Sequence, residues 1–299
     1  MSKDCSLSEA VASIPSGSHV ALPGFAITRC AMAFAHEVAR QGIHDLTLSQ
    51  CVGAMDADFL VGAGAVRRFI YGGGSLDRFG RLGNVNRGIE NRTLDADEYS
   101  SLSVAFRYLA GSLGLPFIPI RSLKGSDLLT QLQEKESSDI ASINDPFTGK
   151  SWLALKPLIP DVAVVQVQAA DDEGNAWIMG PRWDNTEQVK AARRTIVITE
   201  KIVSTEVIRA HPESIVIPGL LVSHLVEQPY ACYPTAVYRE YDYDPEHIEK
   251  YVEAYSTPET FKQYIDEYVL STRDHWEFLE KVAGIKKLLQ LNADPTLGY

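Results

Sequence analysis

The stretch that most constrains the fold is residues 18–31, SHVALPGFAITRCA, where a short apolar strand runs into a glycine turn and the turn runs straight into a helix. His19, Val20, Ala21 and Leu22 read as a buried strand, Pro23 and Gly24 break it, and Ala31, Phe34, Ala35 and Val38 recur at helical spacing. That helix stops at Gly42, and DLTLSQ (45–50) comes next as a second strand, completing a βαβ unit. The alternation repeats. A helical stretch over 56–66 leads to the strand RFIY (68–71), and DVAVVQVQAAD (161–171) and TIVITE (195–200) are β-branched strands separated by a helix over about 186–194. Parallel neighbours require crossovers of this kind, so the expected fold class is α/β, a mostly parallel doubly wound sheet with flanking helices.

Finer expectations come from local signals. Ser6 and Glu9 have the spacing of a capping box and open a short helix. A helix from Asp95 to Gly114 carries Leu102, Ala105, Phe106, Leu109 and Leu113 on one face, with Glu98 in its first turn, and FIPIR (117–121) is the next strand. Residues 133–151 read as a polar surface excursion, and IVIPGLLVSHLVEQP (215–229) as one more strand pair. Beyond Asp244 the chain becomes helical and aromatic. The expected organisation is a single domain over 1–299, with a core over about 6–235 and a helical C-terminal segment over about 245–290.

Composition narrows the function. A net charge of −11 argues against a nucleic-acid or anionic-membrane binder, and no apolar run reaches the length of a membrane span. Four separated cysteines without a secretory leader fit a cytoplasmic protein, and seven histidines show no metal-ligand spacing. Neither a phosphate-binding GxxxxGK[ST] loop nor a dinucleotide GxGxxG fingerprint occurs.

The chemistry is expected around the Gly24 turn. A strand-to-helix turn presents backbone N–H groups at a positive helix end, and a glycine there admits a substrate close to the backbone. Gly24 and Phe25 are therefore candidates for holding an oxyanion or an acyl-CoA carbonyl; the competing reading is an ordinary βα connection. Arg29 is the candidate for a substrate carboxylate, against an internal salt bridge. Cys30, close to the helix start, is conceivable as a nucleophile. Residues 67–92 hold six arginines against Asp77 and Glu90 only. Gly73, Gly74, Ser75, Asp77 and Arg78 thus form a candidate contact for an acyl-CoA or dicarboxylate, unless the loop is solvated or lies against a partner chain. Glu98 is either a helix-dipole partner or a catalytic carboxylate.

Taken in order, several motifs resemble the A subunit of glutaconate CoA-transferase, of the two-subunit class I CoA-transferases. They are SGSHVALPGF (16–25) with Arg29 beyond it, RQGIHDLT (40–47), DEYS (97–100) and GLPFIPI (114–120). NDPFTGK (144–150), PDVAVVQVQAADDEGN (160–175), AARRTIVITEKIVSTEVIR (191–209), IPG (217–219), YDYD (241–244) and LGY (297–299) complete the series. The resemblance implies transfer of CoA between carboxylic acids, of a dicarboxylate such as glutaconate type, through a glutamyl-CoA thioester. The nucleophilic glutamate would sit on a homologous B subunit in an S-E-N-G-like motif, which this chain lacks. The implied assembly is a heterodimer building to α2β2 or larger. Its substrates are acyl-CoA and a carboxylic acid, with the CoA thioester as substrate and no tightly bound cofactor. The family's glycine-phenylalanine oxyanion turn maps onto Gly24 and Phe25, although Pro23 replaces a common glycine and brings no N–H. YGGGSLD (71–77) and Glu98 are similar instead to a ring-cleaving acyl-CoA hydrolase of steroid catabolism on the same fold, which also hosts a decarboxylase. In either of those, Glu98 is the implied acid or base. The remaining alternative is a non-catalytic ligand-binding module.

Overall fold

In the computed structural model, residues 3–135, 139–294 and 296 are described; the LGY motif (297–299) lies outside them. The chain opens with α1 (Leu7–Ala12), which begins at the Ser6–Glu9 capping box. It then alternates through β1 (His19–Ala21), α2 (Met32–Gln41), β2 (Leu46–Gln50), α3 (Met55–Gly62), β3 (Val66–Tyr71), α4 (Gly83–Glu90) and β4 (Asp95–Glu98). Gly42 closes α2 in the left-handed conformation, at φ +65°. Next come α5 (Ser101–Ser112), β5 (Ile118–Ile120), α6 (Asp127–Gln133), β6 (Ile140–Asn144) and β7 (Ser151–Leu155). The second half contains β8 (Val162–Val167), β9 (Ala169–Ala170), β10 (Ala176–Trp177), α7 (Asn185–Ala191), β11 (Arg194–Thr199), α8 (Thr205–Ala210), β12 (Ile215–Ile217) and β13 (His224–Glu227). Four helices end the chain: α9 (Pro245–Ala254), α10 (Pro258–Tyr264), α11 (His275–Val282) and α12 (Gly284–Leu291).

Seven strands form one parallel sheet in the order β13-β11-β8-β1-β2-β3-β4. The chain builds outward from β1 to β4, then returns to the other side of β1 for β8, β11 and β13. The order therefore reverses between β1 and β8, the place where doubly wound sheets open a crevice at their strand C-termini. Side-chain alternation sorts the sheet between two layers: Val20 and Val162 enter the core with α2 and α3, while Ala21 and Ala163 face the layer with α5. Ile248, Tyr251, Phe261 and Tyr264 of the C-terminal helices join the first of these layers. Every residue of β8 is buried, and each valine there contributes about 1.5–3 kcal/mol of burial.

Four local expectations are corrected. Asp95–Glu98 is an edge strand paired in parallel with β3, so the helix begins only at Ser101 and Glu98 is not in its first turn. Polar partners stabilise that strand: Arg68 Nε donates to Asp97 at 2.8 Å and Lys135 Nζ to Asp95 at 2.7 Å. Helix α5 buries Ser103, Val104, Arg107 and Tyr108, leaving Leu102 and Leu113 exposed. Its buried face is selected by hydrogen bonds, from Arg107 Nη2 to Asp139 at 2.6 Å and from the Tyr108 hydroxyl to Ser49 Oγ at 2.6 Å. The excursion over 133–151 contains β6 and the start of β7, which with β5 make a separate antiparallel sheet. Strands β12 and β13 do not pair with each other: β12 joins β10, and β13 joins β11.

Candidate active site at the switch point

The Gly24 turn leaves β1 at the reversal of strand order. Leu22 extends the strand by donating its N–H to the Ser49 carbonyl at 3.0 Å. Two buried glutamines fasten the backbone on leaving the strand, Gln188 donating to the Leu22 carbonyl at 3.1 Å and Gln50 to the Pro23 carbonyl. Gly24 then adopts φ +88°, and a Cβ there would lie 3.0 Å from the Arg29 carbonyl oxygen. The glycine is required by both conformation and space.

The amides of this turn are mostly engaged, which corrects the expectation of a helix end open to substrate. Phe25 N–H donates to the Thr28 carbonyl at 2.9 Å, so the Phe25 amide is not an available oxyanion donor. Ala31 N–H donates to buried Asp56 at 2.9 Å and Ala33 N–H to the Ala231 carbonyl at 2.8 Å. Burial pushes the Asp56 carboxyl up to about 6, against the hydrogen bonds from Ala31, Gln50 and Ala57. The N–H groups of Gly24, Ala26 and Ile27 donate to no other described residue, and that of Gly24, where the chain leaves the strand end, has capacity for a ligand.

The Phe25 ring, 41% exposed, stacks on Trp183 with centroids 5.4 Å apart. Arg29 lies against the same indole, its Cζ 4.7 Å from the ring centroid. That arginine is only 1% exposed. Its Nη2 donates to the Pro181 carbonyl at 2.7 Å and to Asn185 Oδ1 at 3.1 Å, while Nη1 has no partner. Arg29 therefore does not project into the crevice as a carboxylate contact. It ties the Gly24 turn to the loop that carries Trp183. Nearby Asp184, bonded by Gln188 Nε2 at 3.1 Å, is pushed up to about 6 by burial. Cys30 is buried and its thiol pKa is raised by that burial, which removes it as a nucleophile.

Glu98 ends β4 on the same rim as Gly24, three strands away, or roughly 14 Å at sheet spacing. Half-buried, it accepts a hydrogen bond from the Tyr71 hydroxyl at 3.3 Å. The glycine loop lies between them, where Gly53 N–H donates to the Gly73 carbonyl at 2.8 Å and Ser75 N–H to the Gly53 carbonyl at 3.3 Å. Gly74 takes part in this pairing of the loops after β2 and β3, and Asp77 N–H donates to Ser75 Oγ at 3.2 Å. The arginines of 67–92 are not one patch. Arg68 pairs with Asp97, Arg87 donates to the Tyr255 carbonyl at 2.5 Å, and exposed Arg78 lies over Phe79 and Tyr243. The structure keeps Gly24, Phe25 and Arg29 at one turn and brings to it Trp183, Gln50 and Gln188, which the sequence did not single out. Their only sequence signal is polarity or aromaticity without periodicity; the topology alone carries them to the turn. Among the described residues, no group of three His, Cys, Asp or Glu side chains could hold a metal ion, and no helix is long and apolar enough to cross a membrane.

The profile of the coenzyme A transferase family matches residues 5–228. The chain belongs to the coenzyme A transferase family. The corresponding polypeptide of glutaconate CoA-transferase from Acidaminococcus fermentans, its A subunit, is 33% identical over the whole chain and 97% of its own length. The crystal structure of glutaconate CoA-transferase from that organism superposes with a TM-score of 0.93 at 32% identity, covering 100% of this chain and 98% of that one. The A subunit of 3-oxoadipate CoA-transferase from Pseudomonas knackmussii is 34% identical over 89% of this chain and 93% of its own. Other chemistries lie at comparable distance. The structure of a decarboxylase AibA/AibB variant has a TM-score of 0.78 at 31% identity, covering 89% of this chain and all of that one. The cholesterol ring-cleaving hydrolase IpdA subunit of Mycobacterium tuberculosis is 27% identical over 92% of this chain and 96% of its own. An uncharacterised Archaeoglobus fulgidus protein is 38% identical over 97% of the chain, which spans only 64% of that relative's length.

Proposed function

We propose that this chain is the A subunit of a heteromeric CoA-transferase that moves CoA between carboxylic acids, one of them of the dicarboxylate class. The observation that carries the reading is the construction of the Gly24 turn. The unengaged Gly24 amide stands beside an aromatic wall of exposed Phe25 and half-buried Trp183, at the switch point of the sheet, while the nearest carboxylates point inward. Asp56 is fully buried and Asp184 only 5% exposed, and both are engaged by internal hydrogen bonds. Such a site can polarise a thioester carbonyl but offers no nucleophile. The nucleophile is then a glutamate of a homologous B subunit facing this rim.

In the reaction, that carboxylate attacks the acyl-CoA carbonyl and the CoA thiolate departs, leaving a mixed anhydride. The thiolate then attacks the glutamyl carbonyl, releasing the first acid and forming the glutamyl-CoA thioester. The same two steps in reverse load the second acid. The Gly24 N–H stabilises the oxyanion that develops at each attack. Phe25 and Trp183 exclude water from it, which protects the anhydride from hydrolysis.

The second reading, a CoA-thioester hydrolase or decarboxylase, is favoured by the location of Glu98 on the same rim with a single phenol partner. An exchange assay separates the two. The chain, assembled with its B subunit, is incubated with an acyl-CoA and an isotopically labelled acid. Label appearing in acyl-CoA without release of free CoA supports transfer; stoichiometric free CoA or carbon dioxide without label exchange supports the second reading.

A further inference from the structure

Helix α3 carries two aspartates, Asp56 and Asp58, that are fully buried although no cation pairs with either among the described residues. Each instead accepts an N–H from the start of a neighbouring helix. Asp58 Oδ1 accepts the Val85 N–H in the first turn of α4 at 3.0 Å, and its Oδ2 accepts the Tyr251 hydroxyl at 2.7 Å. Asp56 Oδ2 accepts the Ala31 N–H, where the Gly24 turn enters α2, at 2.9 Å. Neither helix caps itself: α2 and α4 begin at Ala31 and Leu82 without a side-chain cap. A carboxylate is costly to bury, and N–H donors at a positive helix end offset that cost.

Asp56 differs from Asp58 in reaching the Gly24 turn a second time, through Gln50. Its Oδ1 accepts from Gln50 Nε2 at 3.1 Å, the same Nε2 donates to the Pro23 carbonyl, and Gln50 Oε1 accepts the Ala54 N–H at 3.0 Å. Between these two attachments the Met55 N–H donates to the Ala26 carbonyl at 3.3 Å. Residues 50–56 therefore hold the turn at its beginning, middle and end, and Gly24 lies between the first two attachments. Asp56 Oδ1 also takes the Ala57 N–H at 2.9 Å. Three N–H groups thus converge on one carboxylate, and only a side chain that accepts at both oxygens satisfies them all.

We propose that Asp56 and Gln50 are positioning residues for the reaction, a clamp that fixes the Gly24 amide in the orientation that meets the thioester oxyanion. The proposal rests on the CoA-transfer reading above. Both side chains are fully buried, so they act on the substrate only through Pro23 and Ala31. An oxyanion donor is most effective when it need not reorient during the reaction, and a misplacement of about 1 Å can cost about 10²-fold in rate.

The test compares variants of the chain assembled with its B subunit, by steady-state kinetics of label transfer, thermal unfolding, and amide hydrogen–deuterium exchange in the peptide over 23–31. Asp56→Asn keeps the size of the side chain but leaves one acceptor oxygen, so its NH2 must face a donor at one end of the clamp. It should lower kcat about 10²-fold with KM for acyl-CoA within about 2-fold. Deuterium uptake at Phe25 and Thr28, whose amides bond each other's carbonyls across the turn, should quicken about 10-fold or more. Asp58→Asn is the control. It damages an equally buried carboxylate on the same helix, so it should lose comparable stability yet keep kcat and slow deuterium uptake in the turn. Gln50→Met cuts the clamp at Pro23 and should lower kcat in the same direction; it carries the test if Asp56→Asn does not assemble. Equal kcat losses in Asp56→Asn and Asp58→Asn, or full kcat in both clamp variants, overturn the proposal. If the unaltered enzyme transfers no label to any acid while deuterium uptake still quickens only in the clamp variants, the clamp stands and the transfer reading fails.

Discussion

Replacing Gly24 by alanine separates what the turn does for the fold from what it does for the reaction. Two structural penalties apply. At φ +88° an L-residue is disfavoured by roughly 1–2 kcal/mol, and the new Cβ would sit 3.0 Å from the Arg29 carbonyl and 3.1 Å from that of Thr28. Relieving those contacts displaces the segment that holds Arg29, hence Trp183, hence the wall behind Phe25. Gly17 supplies the control, because it has nearly the same φ, +86°, with nothing within 4 Å of its Cβ, and it precedes β1 rather than coming after it. Gly17→Ala should therefore lose about 1–2 kcal/mol, read as a few degrees of melting temperature, with kcat unchanged. Gly24→Ala should lose more stability than that and, well below its melting temperature, lower kcat by about 10²–10³, the expected effect of a displaced oxyanion donor. Both quantities come from thermal unfolding and steady-state exchange kinetics of the assembled enzyme. If the two variants share one stability loss and both keep full kcat, the turn is only a connection, and the oxyanion role of Gly24 is refuted.

Three further outcomes are expected. Trp183→Ala removes the stack on Phe25 and the ring under Arg29, so kcat/KM for acyl-CoA should fall about 2- to 10-fold from the aromatic pair alone, measured by initial rates. Glu98→Gln should leave exchange within about 2-fold; a loss beyond about 10² with an intact complex would move Glu98 into the chemistry. Glu200 is raised to about 8 by burial, despite bonds from the Tyr230 N–H, the Tyr241 hydroxyl and Gln166. Its folded pKa lies above the unfolded carboxylate value near 4.3, so folding is favoured by its proton at low pH and this contribution is lost as pH rises through about 8. Denaturation midpoints between pH 5 and 8 should thus fall more steeply for the native protein than for Glu200→Gln, and parallel slopes would contradict the assignment.

The parallel sheet was legible because its central strands are runs of β-branched residues separated by helix-length segments, and the Ser6 cap and Gly42 stop are local signals that tertiary structure left in place. Strand β4 was not legible. Its residues, Asp-Ala-Asp-Glu, look like a helix start, and they become a strand only because Arg68 and Lys135 come from elsewhere to meet the aspartates. Helix α5 shows the same limit in another form. Its existence was plain, but Leu102 and Leu113 suggested the wrong buried face, since Arg107 and Tyr108 find polar partners inside. At the site, the glycine turn could be read from its own residues, whereas Arg29 could not. A buried guanidinium sandwiched under Trp183 depends on a loop more than 150 positions away.

In the proposed function this chain polarises a thioester for a nucleophile it does not itself carry. The most direct measurement is to incubate the chain, assembled with its B subunit, with acyl-CoA, reduce with borohydride, and locate any reduced glutamate by peptide mass spectrometry. Reduction of a single glutamate on the B subunit, with no modified peptide from this chain, is the predicted result. A modified carboxylate within this chain, or turnover of acyl-CoA with no glutamate trapped on either polypeptide, would contradict the account.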